Sequence, residues 1–217
     1  MRTFGLPDIW FIVAAARWTI ALSLIAFVGG ALGGLAVALG RTAENRAARR
    51  LATGFIQLFQ GTPLLMQLFL VFFGAPVLGV EVSPWTAAGV ALVLNTSAFL
   101  GEIWRGCIEA VPRGQWEAAD ALGLDYVARM RRVVLPQAWK IALPPTVGYM
   151  VQVIKGTSLA AIIGFTEVTR AGQIINNATF QPLVVFSVVG AIYFVLCWPL
   201  SLWAGRIEKR RALALAR

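Results

Sequence analysis

The residues able to do chemistry in this chain are concentrated in one run. EAADALGLDYVARMRRVVLPQAWKIALPP, from Glu117 to Pro145, carries Glu117, Asp120, Asp125, Arg129, Arg131, Arg132 and Lys140. Two smaller polar groups, Asn95-Thr96-Ser97 and Lys155-Gly156-Thr157-Ser158, interrupt otherwise apolar stretches. None has the make-up of a catalytic centre. There is no histidine, which removes the commonest general base and metal ligand. The two cysteines, Cys107 and Cys197, are too few for a disulfide framework. This pattern argues against a hydrolase or metalloenzyme, and no metal or cofactor is expected on the chain. The charges are instead suited to contact, orientation and passage.

The elements that must position these residues are set by composition. The chain has 217 residues, 59% hydrophobic and 13% charged, against roughly 25% charged in soluble domains. This is a bilayer composition. The net charge of +9 does not point to nucleic acid, because the basic residues sit between apolar runs and not along one soluble face. Five segments are long enough to cross, at about 18–40, 55–78, 85–104, 145–165 and 183–205. The expected fold is all-α and polytopic, a single transmembrane domain over 1–217, with a cytoplasmic two-helix segment at about 105–144. The first run is longer than a signal-peptide core, so it reads as a permanent span. Most of the 19 basic residues fall after spans one, three and five, whereas Arg2, Arg17 and Arg170 fall on the other side. The excess marks the cytoplasm, which predicts an outside N-terminus and a cytoplasmic C-terminus.

Span one holds two small-residue pairs, Gly29/Gly33 and Gly30/Gly34, at the spacing that lets membrane helices approach closely; glycine is also simply common in such helices. The charged run carries its own punctuation. Gly114–Leu122 predicts a short helix, Gly123 a left-handed stop, and Asp125 a cap for a second helix. In that helix Tyr126, Met130, Val133 and Val134 share a face, with Arg129, Arg131 and Arg132 pointing elsewhere. Pro136 is expected to stop it, and Pro144-Pro145 to reset the chain before span four. Two short helices with an apolar stripe suit insertion into a groove on another protein.

Polar groups at bilayer depth are costly unless they face a cavity or partner. Lys155, expected near the middle of span four, with Thr157 and Ser158, reads as a locally opened helix lining a path or subunit seam, or else as a structural Lys beside an acid. Asn95 sits at similar depth in span three. Glu102 lies three residues before Arg105, which suits an intrahelical pair or a substrate contact. Thr62, Pro63 and Gln67 open span two, where proline fits a first turn and the polar face suits an inner gate.

These residues resemble a family. Glu117-Ala118-Ala119, then Gly123, then Val133, Leu135 and Pro136, match the spacing of the EAA loop of ABC-importer permeases, with Val133 where isoleucine is usual. GQWEAADALG, RRVVLPQA, QGTPLLMQLFLVFFG, AFLGEIWRG and KGTSLAAIIG look like the polar amino-acid branch of that family, over about Thr19 to Glu208. Gln60 stands where the branch usually has arginine. The resemblance implies a permease subunit of the bacterial inner membrane whose EAA helices dock on a cytoplasmic ATPase. It further implies an ATPase dimer that uses ATP and Mg, a second permease subunit (identical or homologous), an extracytoplasmic solute-binding protein and a polar amino-acid substrate. Two rivals are a secondary transporter and a membrane scaffold whose loop docks a partner. The EAA spacing and the lack of an internal repeat count against the first.

Overall fold

A computed structural model describes residues 3–215, with side chains described as far as Lys209. The basic flanks Arg2 and Arg217 lie outside the described residues, as do the side chains of Arg210 and Arg211. The described chain is helical throughout, in the order α1 (Leu6–Thr42), α2 (Arg46–Gly61), α3 (Leu64–Phe69), a π turn (Leu70–Gly74), α4 (Ala75–Val77), α5 (Pro84–Glu109) and α6 (Arg113–Ala121). Then follow α7 (Tyr126–Arg129), a second π turn (Met130–Val134), α8 (Leu135–Gly156), a 3-10 segment (Thr157–Ile163), α9 (Val168–Thr179) and α10 (Pro182–Leu215).

Helix α1 starts well before Trp18. Pro7 occupies its first turn and the Asp8 carboxylate accepts from the Gly5 N–H at 2.9 Å. Its long packing partner is α5, and the seam is made of small residues. A Cβ on Gly34 would stand 2.9 Å from that of Leu100, and one on Gly101 would stand 2.6 Å from Val37 Cγ1. Cβ atoms on Gly30 and Gly33 would strike Thr96 and Ser97. Both glycine pairs of span one therefore face α5 directly. Close backbone approach replaces the hydrophobic drive that helices lack inside lipid. The outward face of α1, with Trp10, Leu24, Val28 and Leu32 exposed, is apolar and suited to acyl chains.

Span two is not one straight helix. Arg46–Gly61 and Leu64–Val77 meet at 101°. Thr62 precedes a proline and is pushed to extended backbone (φ −115°, ψ 139°), and Pro63 follows it as the cap of α3. Pro63 thus breaks the span where a first-turn proline was expected. Such a break frees carbonyls at membrane depth. The buried Gln67 answers them: its Nε2 donates to Phe59 O at 2.8 Å and Thr62 O at 3.0 Å. Asn95 on α5 completes the patch, donating to Gln67 Oε1 at 3.2 Å.

Span four also differs from the sequence expectation. Pro136 does not stop the second loop helix, and Pro144-Pro145 do not reset the chain. The helix runs unbroken from Tyr126 to Ile163 and contains an apolar window long enough to span. The π turn just before Pro136 provides the accommodation, with Leu135 N–H bonding back to Met130 O. Widening the turn relieves the clash a proline ring makes with the preceding turn. Eight residues before the end of that span at Ile163, Lys155 falls in the last turn of α8. After it the backbone tightens to 3-10, and Gly164 (φ +85°) ends the segment in the left-handed region. The short amphipathic α9 then lies between spans four and five, an element the hydropathy pattern did not announce.

Candidate coupling and translocation sites

The charged segment folds as the turn chemistry dictates. Helix α6 ends at Ala121, and Gly123 sits at φ +69°. Gly123 N–H bonds to Asp120 O at 2.9 Å and Leu124 N–H to Ala119 O at 3.2 Å, the pair of bonds that closes a helix through a left-handed glycine. Asp125 then caps α7, its Oδ1 accepting from Ala128 N–H at 2.8 Å. The two helices rest on a small core in which Ala38, Ile108, Val111, Met130, Val134 and Ala138 are buried, with Trp116, Tyr126 and Leu135 packed against it.

Within the matched motif, Ala119 points into the chain while Glu117, Ala118, Gly123 and Pro136 are exposed; Val133 and Leu135 are half-buried. Two apolar residues outside the motif stand beside the turn in the open, Leu122 at 78% and Val127 at 67% exposed. Paired on one corner, they are candidates for a contact surface. Sequence reasoning missed them because neither falls on the stripe that reaches the core.

Arg129 differs from expectation as well. It points inward, only 15% exposed, and pairs with Asp120 on α6 and with Glu44, at 3.3 Å, from the α1–α2 connection. Its guanidinium also lies over the Trp116 and Tyr126 rings, 5.7 and 5.9 Å from their centroids. It clips three segments together, whereas Arg131 and Arg132 remain exposed.

The predicted path residues divide into two groups. Gln67, Asn95 and Thr62 are brought together, but as the polar patch that closes the break in span two; Thr62 Oγ1 also accepts from Gln67 at 3.0 Å. Glu102 receives Arg105 Nε at 2.9 Å, and Arg105 reaches on to Glu109, so the intrahelical pair is present. Thr157 is buried and donates to Ile154 O at 2.7 Å. Lys155 stands apart from these. It is exposed beside Pro145, Gly148 and Gln152 on one stripe of α8 and lines a groove of about 310 Å³ with Tyr193, Cys197 and Ser201 of α10. No carboxylate pairs with it among the described residues. Ser158 Oγ bonds to the Lys155 carbonyl at 2.7 Å. Gln60, where the resemblance leads one to expect arginine, donates to Ala98 O at 3.3 Å and so joins α2 to α5 without charge.

The sequence profile of the binding-protein-dependent transport system inner membrane component family matches residues 30–213. The chain belongs to that family. It is 35% identical to the L-cystine transport system permease protein TcyB of Bacillus subtilis (strain 168), over 96% of this chain and 93% of that protein. It is 34% identical to the glutamine transport system permease protein GlnP of Escherichia coli (strain K12), over 94% of each. The fold superimposes on a crystal structure of an amino acid ABC transporter with histidines at a TM-score of 0.86, with 34% identity and coverage of 92% and 94%. The family member described here is a membrane-spanning permease subunit of an ABC importer. It is not itself catalytic: hydrolysis resides in a separate ATPase subunit, and a binding protein is a further partner.

Proposed function

We propose that this permease carries a polar amino acid inward, with the α6–α7 corner facing the cytoplasm and seated in a groove of the ATPase. The observation that carries the docking assignment is the exposed Leu122 and Val127 flanking a glycine-closed turn. In this reading Glu117, Ala118 and Gly123 form the contact, Ala119 anchors it, and Val133, Leu135 and Pro136 carry the load into α8. ATP and Mg bind in the partner ATPase dimer. A second permease subunit, identical or homologous, covers the α8 stripe of Gln152 and Lys155, which lipid would not tolerate. Lys155 and Ser158 line the path, and the lysine supplies a counter-charge for a substrate carboxylate. Relatives named for cystine and for glutamine support the substrate class.

The test is co-reconstitution with its ATPase and binding protein in proteoliposomes, followed by uptake of a panel of labelled amino acids. ATP-dependent accumulation of a polar amino acid is expected. Uptake driven by an ion gradient without ATP would establish secondary transport instead. Binding of the ATPase with no uptake of any solute would leave the scaffold reading.

A further inference from the structure

Glu167 is the most deeply buried carboxylate described in the chain, at 0% exposure, and no role has so far been assigned to it. It sits between the 3-10 end of span four and α9. Its Oε1 accepts from the Arg170 N–H at 2.9 Å, opening α9. Its Oε2 accepts from Tyr193 of α10 at 2.6 Å and from Thr19 of α1 at 3.4 Å. Thr19 Oγ1 in turn accepts from the Val168 N–H at 3.3 Å. The Tyr193 hydroxyl also meets Thr169, at 3.1 Å, and lies within reach of Thr157. Hydroxyls and backbone N–H groups are its hydrogen-bond partners, and burial pushes the carboxyl above the usual carboxylate range.

A buried carboxyl with only neutral partners is costly, and here the cost is offset by the bonds it makes between helices. Four elements meet in this one network: α1, the tightened end of span four, α9 and α10. Tyr193 belongs to two neighbourhoods at once. Its hydroxyl holds Glu167, while the residue lines the groove that Lys155 shares with α10. Gly172 of α9 deepens the contact, because a Cβ there would stand 3.7 Å from Val185 Cγ1 of α10 and would collide with Val189.

We infer that Glu167 and Tyr193 form a latch that makes the 3-10 end of span four, α9 and α10 move as one body, and so holds the Lys155 segment in register during transport. The inference rests on the path assignment for Lys155. Both are positioning residues, since neither is placed against substrate. Substituting Tyr193→Phe removes one buried donor and Glu167→Leu removes the acceptor of all three bonds. Glu167→Gln is the conservative variant: its oxygen can accept from Arg170 N–H, and its amide can donate to Tyr193, whose own proton turns to Thr169.

Two measurements test the latch in the assembled complex. In proteoliposomes, Tyr193→Phe should lower uptake kcat about tenfold, the size of one unpaired buried group, and Glu167→Leu at least as much, with KM for loaded binding protein unchanged and ATP consumed per solute rising. Glu167→Gln should restore most of the rate, and the Tyr193→Phe/Glu167→Leu double variant should be no worse than Glu167→Leu. Unchanged kcat per assembled complex would overturn the latch, as would losses confined to yield. The second measurement needs no transport. Amide exchange across 157–170 should quicken about tenfold in Tyr193→Phe and not in Glu167→Gln. Equal exchange in parent and Tyr193→Phe would overturn the latch even where uptake is absent, whereas absent uptake with the exchange pattern intact would count against the transport reading alone.

Discussion

Gly123 offers the sharpest test of the docking corner, because its contribution can be isolated. Its φ is +69° and a Cβ built there would meet nothing within 4 Å. Substitution therefore introduces no clash with neighbours and acts through the backbone alone. Holding an L-residue in the left-handed region costs about 1–2 kcal/mol, which corresponds to a factor of roughly 5–30 in the population of the turn. If the ATPase recognises only the closed corner, its apparent Kd should weaken by up to that factor, the full amount where the open turn comes to dominate. The series is graded by conformation: Gly123→Asn tolerates left-handed backbone and should stay within about twofold of the parent. Gly123→Ala should fall toward the lower end of the range, and the β-branched Gly123→Val at or beyond the upper end. The assay is titration of purified ATPase onto permease in nanodiscs, read by fluorescence anisotropy, with permease yield and helicity as controls. Parent-like affinity for Gly123→Val would refute the argument. So would equal weakening by Asn and Val, since that would place the cause in side-chain bulk at the contact.

Lys155→Met should assemble normally yet lower ATP-dependent uptake at least tenfold; parent-like uptake, or loss of assembly, would remove Lys155 from the path. Gln67→Leu should lower yield and the thermal unfolding temperature, because it strands the Phe59 and Thr62 carbonyls and Asn95, at about 1–3 kcal/mol per unpaired buried group; an unchanged melting profile would show the break needs no such patch. Topology is best read at Gly114→Cys, an exposed site with nothing within 4 Å of a Cβ, and not at Cys107, which is buried against α1 and α8. An impermeant thiol reagent should label it in inverted vesicles and leave it unlabelled in spheroplasts, the reverse result inverting the proposed orientation.

The features legible in the sequence were those whose cause is local. Gly123 and Asp125 mark turn and cap with their own side chains, and the Glu102–Arg105 pair needs only helical spacing. Gly30 and Gly34 announced close packing, although not that Thr96, Leu100 and Gly101 would receive it. What escaped depends on distant partners or on competing backbone solutions. The run 55–78 is apolar enough to read as one span, and Thr62-Pro63 was its only sign of a break. Whether such a proline bends a helix by 101° or is absorbed depends on whether other groups satisfy the freed carbonyls. At Pro63 the chain bends and Gln67 supplies the bonds. At Pro136 a π turn absorbs the ring and the helix continues. Glu167 gave no signal, because Thr19 and Tyr193 lie 148 and 26 residues away in the chain. Arg129 was misplaced because an arginine in a charged run reads as solvated until Glu44, Asp120 and two rings surround it.

The uninterrupted course of span four has a mechanical consequence. From Tyr126 to Ile163 it comprises 38 residues, about 57 Å at 1.5 Å per residue, whereas the bilayer with its headgroups is about 40–45 Å thick. The surplus of roughly two to three turns matches the stretch Tyr126–Val134, where the exposed Arg131 and Arg132 would keep the helix out of lipid. One end of this rod thus adjoins the corner proposed to dock, and the last α-turn toward the other end carries Lys155. Had Pro136 or Pro144-Pro145 stopped the helix, motion of the corner would have been lost in a loop. With the backbone bonds carried through, a displacement passed from the proposed docking corner to Tyr126 would reach Lys155 along one helix. The places where it can flex are the π turn at its base and the 3-10 end at its tip. Arg129 braces the first against the α1–α2 connection, and Glu167 with Tyr193 braces the second against α1 and α10.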